Sequence, residues 1–97
     1  MYDEYSIVIA GVGGQGGLTL SRVIATAAAL SGLSVKTGET LGMAQRGGSV
    51  QSYVKLGRVI RSPMIKRKNA NALIGLEPLE AVRAINYVGS DTKVVLD

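Results

Sequence analysis

The chain has 97 residues, 46% hydrophobic and 19% charged, which supplies apolar material for one small core and too little length for two. It contains no Cys and no His, so thiolate ligation of iron–sulfur clusters, imidazole zinc sites, disulfides and Ser-His-Asp or Cys-His catalysis are excluded from it. Seven of the 11 Lys and Arg residues (Arg46, Lys55, Arg58, Arg61, Lys66, Arg67 and Lys68) fall between Glu39 and Glu77, where no acid stands, so the middle of the chain is basic.

The amino end, Met1-Tyr2-Asp3-Glu4, is acidic where a secretory leader is basic, and no apolar run approaches the roughly 20 residues of a membrane span. These features predict a soluble cytoplasmic protein. Residues 6–10, Ser-Ile-Val-Ile-Ala, are a β-branched run ending in glycines, the pattern of a strand buried on both faces of a parallel sheet. Apolar residues then recur at Leu20, Val23, Ile24, Ala27 and Leu30, which predicts a helix over 18–31 closed by Gly32. Residues 33–37 read as a short second strand and residues 39–48, with three glycines, as an exposed loop.

Residues 49–56 alternate as a half-buried strand, Gly57-Arg58 turns the chain, and Val59-Ile60-Arg61 returns as its hairpin partner carrying the basic stretch. Residues 70–76 form another buried strand. Glu77-Pro78-Leu79-Glu80 opens a helix, with proline in the first turn and acids at the positive end of the dipole, and Gly89 ends it. Residues 93–96 are a last strand. The order predicts one α/β domain over 1–97, a Rossmann-like, open, mostly parallel sheet with flanking helices and an inserted β-hairpin, and the short sheet is expected to expose an apolar edge prone to self-association.

Gly11, Gly13 and Gly16 match G-x-G-x-x-G between the first strand and the first helix. Either the backbone N–H groups of Gly13, Gly14, Gln15 and Gly16 meet a phosphate at the helix amino end, or the glycines make a tight corner with no ligand. A dinucleotide would also want an acid at the end of the second strand, roughly 20 residues on, and Glu39 lies slightly beyond that point. No Gly-Lys-Ser/Thr occurs, which excludes a Walker loop. In the second glycine-rich segment, Arg46 offers a planar fork to a carboxylate or phosphate, or else bonds loop carbonyls. Glu77 and Glu80, three apart at a strand-to-helix junction, suit a helix cap better than an acid and base pair. Four Tyr are the only aromatics, and with no interleaved stacking platforms or nucleic-acid motif the basic stretch is not read as a nucleic-acid site.

Together Gly11-Val12-Gly13-Gly14-Gln15-Gly16, Gly42-Met43-Ala44-Gln45-Arg46-Gly47-Gly48-Ser49-Val50 and Ala72-Leu73-Ile74-Gly75-Leu76-Glu77-Pro78-Leu79-Glu80-Ala81 resemble the gamma-type subunit of 2-oxoacid:ferredoxin oxidoreductases. The Met-Ala-Gln-Arg-Gly-Gly form of the second motif is closest to the beta subunit of the indolepyruvate branch. The resemblance implies CoA-dependent oxidative decarboxylation of an aryl 2-oxo acid, with reduction of ferredoxin by the assembled complex. It implies thiamine diphosphate and iron–sulfur clusters on a partner subunit, in keeping with zero Cys here, and a non-redox chain that is inactive alone. Gly11, Gly13, Gly14, Gln15, Gly16, Gln45, Arg46, Gly47 and Gly48 become candidate contacts to coenzyme A, with no catalytic or metal-binding residue assigned. Members of the family are commonly about twice this length, so the chain is expected to be a truncated amino-terminal half. The rival expectation is a stand-alone Rossmann-like module for NAD, FAD or another nucleotide.

Overall fold

The computed structural model describes residues 4–12, 17–41, 49–60, 62 and 64–96. Among them, strands β1 (Glu4–Val12), β2 (Ser34–Leu41), β3 (Ser49–Gly57), β4 (Ala72–Gly75) and β5 (Lys93–Leu96) form one sheet in the order β2-β3-β1-β4-β5. Helix α1 (Gly17–Leu30) links β1 to β2, and helix α2 (Pro78–Arg83) with a 3-10 turn at Ile85–Tyr87 links β4 to β5.

Strand β1 is parallel to β4 and β4 to β5, whereas β3 is antiparallel to both β1 and β2. Four strands thus share one direction, and the reversed strand belongs to the inserted hairpin. The hairpin partner differs from the expected one. Strand β3 pairs with β2 on one side and β1 on the other, so no ladder groups remain for Val59-Ile60 to take up. Ile60 instead buries its side chain and donates its N–H to Ser34 Oγ at 3.3 Å. Strand β2 also runs on to Leu41, so residues 39–41 are sheet and not loop.

Residues 6–11 of β1 are all buried, as the β-branched run predicts. Its side chains alternate between two cores. Ile7 and Ile9 join Val54 beneath Leu20 and Ile24 of α1, while Val8 and Ala10 join Leu73, Ala84 and Tyr87 on the face covered by α2. Val8, Ile9, Val54 and Leu73 are at most 1% exposed, and burial of each side chain contributes about 1.5–3 kcal/mol.

The inward stripe of α1 is formed by the buried Ser21 and Ala28 with the half-buried Leu20, Ile24 and Ala25. Val23, Ala27 and Leu30, also expected inside, are exposed, because a helical period defines stripes without saying which one meets the sheet. The predicted stop holds: Gly32 has φ +83, its N–H bonds Ala29 O, and the Leu33 N–H bonds Ala28 O, a left-handed Schellman closure.

Helix α2 ends at Arg83, short of the expected Gly89. The reason lies in the loop before β4. Lys68 N–H donates to Asn86 O at 2.8 Å and Ala70 N–H to Tyr87 O at 3.1 Å, so those carbonyls serve a neighbouring segment and not a further helical turn. Gly89 lies past the turn, where an added Cβ would strike the Lys68 carbonyl oxygen. Tyr53 and Tyr87 meet edge to face at 5.6 Å beside this junction. At the sheet margin, Val94, Val95 and Leu96 of β5 are each about half exposed, so the expected apolar edge is present.

Candidate functional site

The two helices cover opposite faces of the sheet: α1 packs on β1, β2 and β3, and α2 on β1 and β4. From β1 the chain crosses toward β2, and from β4 it crosses the other way toward β5. The direction of winding therefore reverses between β1 and β4, and in open α/β sheets ligands bind at such a switch point, in the crevice outside the carboxyl ends of the strands.

Register brings the attachment points of both glycine-rich segments to this end. Val12, the last residue of β1, pairs with Ser49, the first of β3, and Leu41, the last of β2, pairs with Val50. Residues 13–16 leave and return here through Val12 and Gly17, and residues 42–48 through Leu41 and Ser49. Of the candidate contacts, Gly11 is described, buried in β1 opposite Val50. Gly13, Gly14, Gln15, Gly16, Gln45, Arg46, Gly47 and Gly48 lie outside the described residues.

The other bank of the crevice is built from the third motif. Leu76 N–H donates to Ala10 O at 2.8 Å and extends the β1–β4 ladder past Gly75. A Cβ on Gly75 would lie 2.6 Å from Ala81 Cβ and 2.8 Å from Leu96 Cδ2, so the glycine lets α2 and β5 close on the strand end. Sequence reasoning missed this, since the requirement comes from α2 and not from a turn. Glu77 is the helix N-cap: its Oε2 accepts the Glu80 N–H at 3.0 Å, with Pro78 next in the chain. Glu80 is 5% exposed, with Oε2 at 3.3 Å from Arg83 Nη1 and Oε1 without a hydrogen-bond partner among the described residues. With Glu77 spent on the cap, the pair is not arranged as an acid and a base.

Glu39 stands exposed on β2 opposite Ser52, and β3 separates β2 from β1. Two strand spacings, about 9–10 Å, lie between it and the strand that carries the glycine turn, which is not the neighbouring-strand position of a ribose-binding acid. The described members of the basic stretch, Lys55, Arg58, Lys66, Arg67 and Lys68, lie at or beyond the carboxyl end of antiparallel β3, on the far side of the sheet from the crevice. Among the described residues no group of three or more His, Cys, Asp or Glu could hold a metal, and no helix is long and apolar enough to cross a membrane.

Comparison with known proteins agrees with this architecture. Residues 6–97 match the family model of pyruvate ferredoxin/flavodoxin oxidoreductase. The indolepyruvate oxidoreductase subunit IorB of Archaeoglobus fulgidus is 51% identical over 92 residues, which are 95% of this chain and 45% of that protein. The chain thus spans about half the length of the curated relatives it matches. Among solved structures, the 2-oxoglutarate:ferredoxin oxidoreductase of Magnetococcus marinus superposes on all of this chain with a TM-score of 0.81 and 21% identity, over 17% of its own length. The gamma subunit of the keto/oxoacid ferredoxin oxidoreductase of Geobacter sulfurreducens superposes on 99% of this chain and 51% of its own, with a TM-score of 0.71 and 26% identity. With its three motifs, its switch-point crevice and 92 residues aligned, this chain belongs to the pyruvate ferredoxin/flavodoxin oxidoreductase family.

Proposed function

We propose that the chain is part of a non-redox, gamma-type subunit of an indolepyruvate:ferredoxin oxidoreductase, and that it forms a coenzyme A-side wall of the assembled enzyme. The observation that supports this reading is that the described residues flanking both glycine-rich segments, Val12 and Gly17, Leu41 and Ser49, lie at the end of the sheet where β1 and β4 present their carboxyl ends. The identity to an indolepyruvate oxidoreductase subunit supports the substrate class, and the Magnetococcus marinus enzyme was solved with 2-oxoglutarate, coenzyme A and succinyl-CoA bound.

The described rim suits a phosphate-bearing coenzyme in two respects. The amino end of 14-residue α1 faces the crevice with the positive end of its dipole, and Gly11 near the end of β1 adds no side chain there. In this reading residues 13–16 supply backbone donors and Arg46 clamps an anionic group, while the thiol of coenzyme A takes up the acyl group. In this reading thiamine diphosphate and the iron–sulfur clusters sit on a partner subunit, and the 97 residues of this chain contain no Cys to ligate a cluster. The exposed apolar side chains of α2 (Leu79, Val82), of the following 3-10 turn (Ile85) and of β5 support burial against such a partner. The absence of Cys and the ferredoxin chemistry favour the cytoplasm.

The test is reconstitution. Native purification should yield this protein with a larger subunit containing iron. Only the complex should reduce ferredoxin with indolepyruvate and coenzyme A, and the isolated chain should be colourless and inactive. Ferredoxin reduction by the isolated chain, or a complex that works equally well without it, would sink the assignment.

A further inference from the structure

The opposite end of the sheet holds a cavity of about 470 Å³, within the range of small-molecule sites. It lies at the amino ends of β1 and β4, about 26 Å along β1 from the crevice. Glu4, Ser6, Lys55, Lys66 and Asn71 supply its charged and polar lining, and Met64 and Ile65 give it an apolar wall. None of the three recognised motifs reaches it.

Its polar groups are held so that donors are left over. Asn71 Oδ1 accepts the Ser6 N–H at 2.8 Å, which orients the carboxamide and leaves both Nδ2 hydrogens without a partner among the described residues. Lys55 is only 16% exposed in its side chain; its ammonium donates to Met64 O at 2.7 Å and lies 3.4 Å from Glu4 Oε1, with a third N–H left over. Ser62, also on the wall, accepts the Met64 N–H at 3.1 Å and keeps its own O–H to donate. Lys66 is exposed and has no ion pair among the described residues. Among the described residues the wall therefore carries two ammonium groups against one carboxylate, and that carboxylate is already answered by Lys55. Among them a cation finds no free carboxylate, whereas an oxyanion finds ammonium, amide and hydroxyl donors.

We propose that this cavity is a second binding site, for a small organic anion whose phosphoryl or carboxylate group meets Lys55, Lys66 and the Asn71 amide while its carbon body lies against Met64 and Ile65. The site does not depend on the coenzyme A reading, because it shares no residue with the crevice. It accounts for part of the basic stretch as an inward-facing arrangement.

The experiment titrates the full chain at low ionic strength with inorganic phosphate, glycerol 3-phosphate and succinate, followed by amide and side-chain NMR shifts and by calorimetry. Saturable shifts should concentrate on Ser6, Lys55, Lys66 and the Asn71 side-chain amide. Saturation by the phosphates alone assigns a phosphoryl ligand, and saturation by succinate alone a carboxylate. Asn71→Asp keeps the acceptor for Ser6 N–H but replaces the donors, and should weaken binding about tenfold or more. Lys66→Ala, at an exposed position that leaves the fold intact, should weaken binding as well and keeps the test valid if Asn71→Asp unfolds. Shifts that never saturate, shifts spread over all exposed cations, or a Lys66→Ala chain that binds like the wild type would overturn the proposal.

Discussion

Asn71 answers both backbone polar groups of Ser6: its N–H donates to Ser6 O at 2.8 Å, and its side-chain Oδ1 accepts the Ser6 N–H at 2.8 Å. One residue thus begins the parallel β1–β4 ladder, before β4 itself starts at Ala72. Removing the carboxamide leaves a buried N–H unanswered, which costs about 1–3 kcal/mol. Asn71→Ala should lower stability by that amount in chemical denaturation, while Asn71→Asp, which retains the acceptor, should lose clearly less. Equal losses for the two variants would mean that the bond to Ser6 carries little of the effect.

Ser52 offers the opposite case. It is 1% exposed, opposite Ile9 in the core under α1, and its Oγ has no hydrogen-bond partner among the described residues. Ser52→Ala removes the unanswered hydroxyl and leaves the Cβ packing intact. A gain of about 1 kcal/mol is expected, or roughly 4–8 °C in Tm for a domain of this size. A fall in Tm would show that the hydroxyl is satisfied.

Gly75 and Gly32 separate two reasons for a glycine. At Gly75 an added Cβ collides with Ala81 and Leu96, so Gly75→Ala must displace α2 or β5 and should cost about 1–3 kcal/mol. At Gly32 nothing lies within 4 Å of an added Cβ, and the cost of Gly32→Ala, about 1 kcal/mol, comes only from its φ of +83. Asn, which tolerates the left-handed region, should recover part of the loss at position 32 and none at 75. Recovery by Asn at both positions would refute the collision at Gly75.

The Tyr87 hydroxyl is pushed up to about 12 from its usual 10.0, first by its hydrogen bond with Tyr53, then by burial and by the neighbouring phenol's charge. The two hydroxyl oxygens are 3.3 Å apart. Because the folded state holds this proton more tightly than the unfolded chain, its contribution is complete below pH 10.0 and is lost as the pH rises toward 12. Phenolate absorbance should show one tyrosine titrating late, and Tyr53→Phe should bring it down toward the ordinary range. An unchanged titration in that variant would remove Tyr53 as the cause.

Local chemistry carried the parts of this fold that were legible in the sequence. The β-branched run before Gly11 marked a strand buried on both faces, Gly32 marked the helix stop, and Glu77-Pro78 marked a capped helix start. What was not legible depends on distant partners. No residue of 49–57 announces that its strand will lie between β2 and β1, and that insertion is what separates Glu39 from β1. Nor does the period of α1 show that Val23 and Leu30 face outward. At the site, the glycine-rich motifs pointed to one end of the sheet, but the buried Glu80 and the close approach at Gly75 arise only once α2 is seated.

The last prediction concerns Arg46, whose fork is assigned to an anionic group of coenzyme A by the proposed function. Lysine keeps the charge and loses the planar pair of donors. In the reconstituted complex, Arg46→Lys should raise the KM for coenzyme A about tenfold or more, the equivalent of one charge-assisted hydrogen bond, and leave the KM for the 2-oxo acid near wild type. The melting temperature of the isolated chain should stay the same, because in this reading the fork acts on the ligand and not on the core. A variant with lowered Tm and unchanged kinetics would identify Arg46 as a structural residue bonding carbonyls within its own segment. A variant that raises the KM for the 2-oxo acid instead would move the anion from coenzyme A to the substrate carboxylate, at the same crevice and with the same fork.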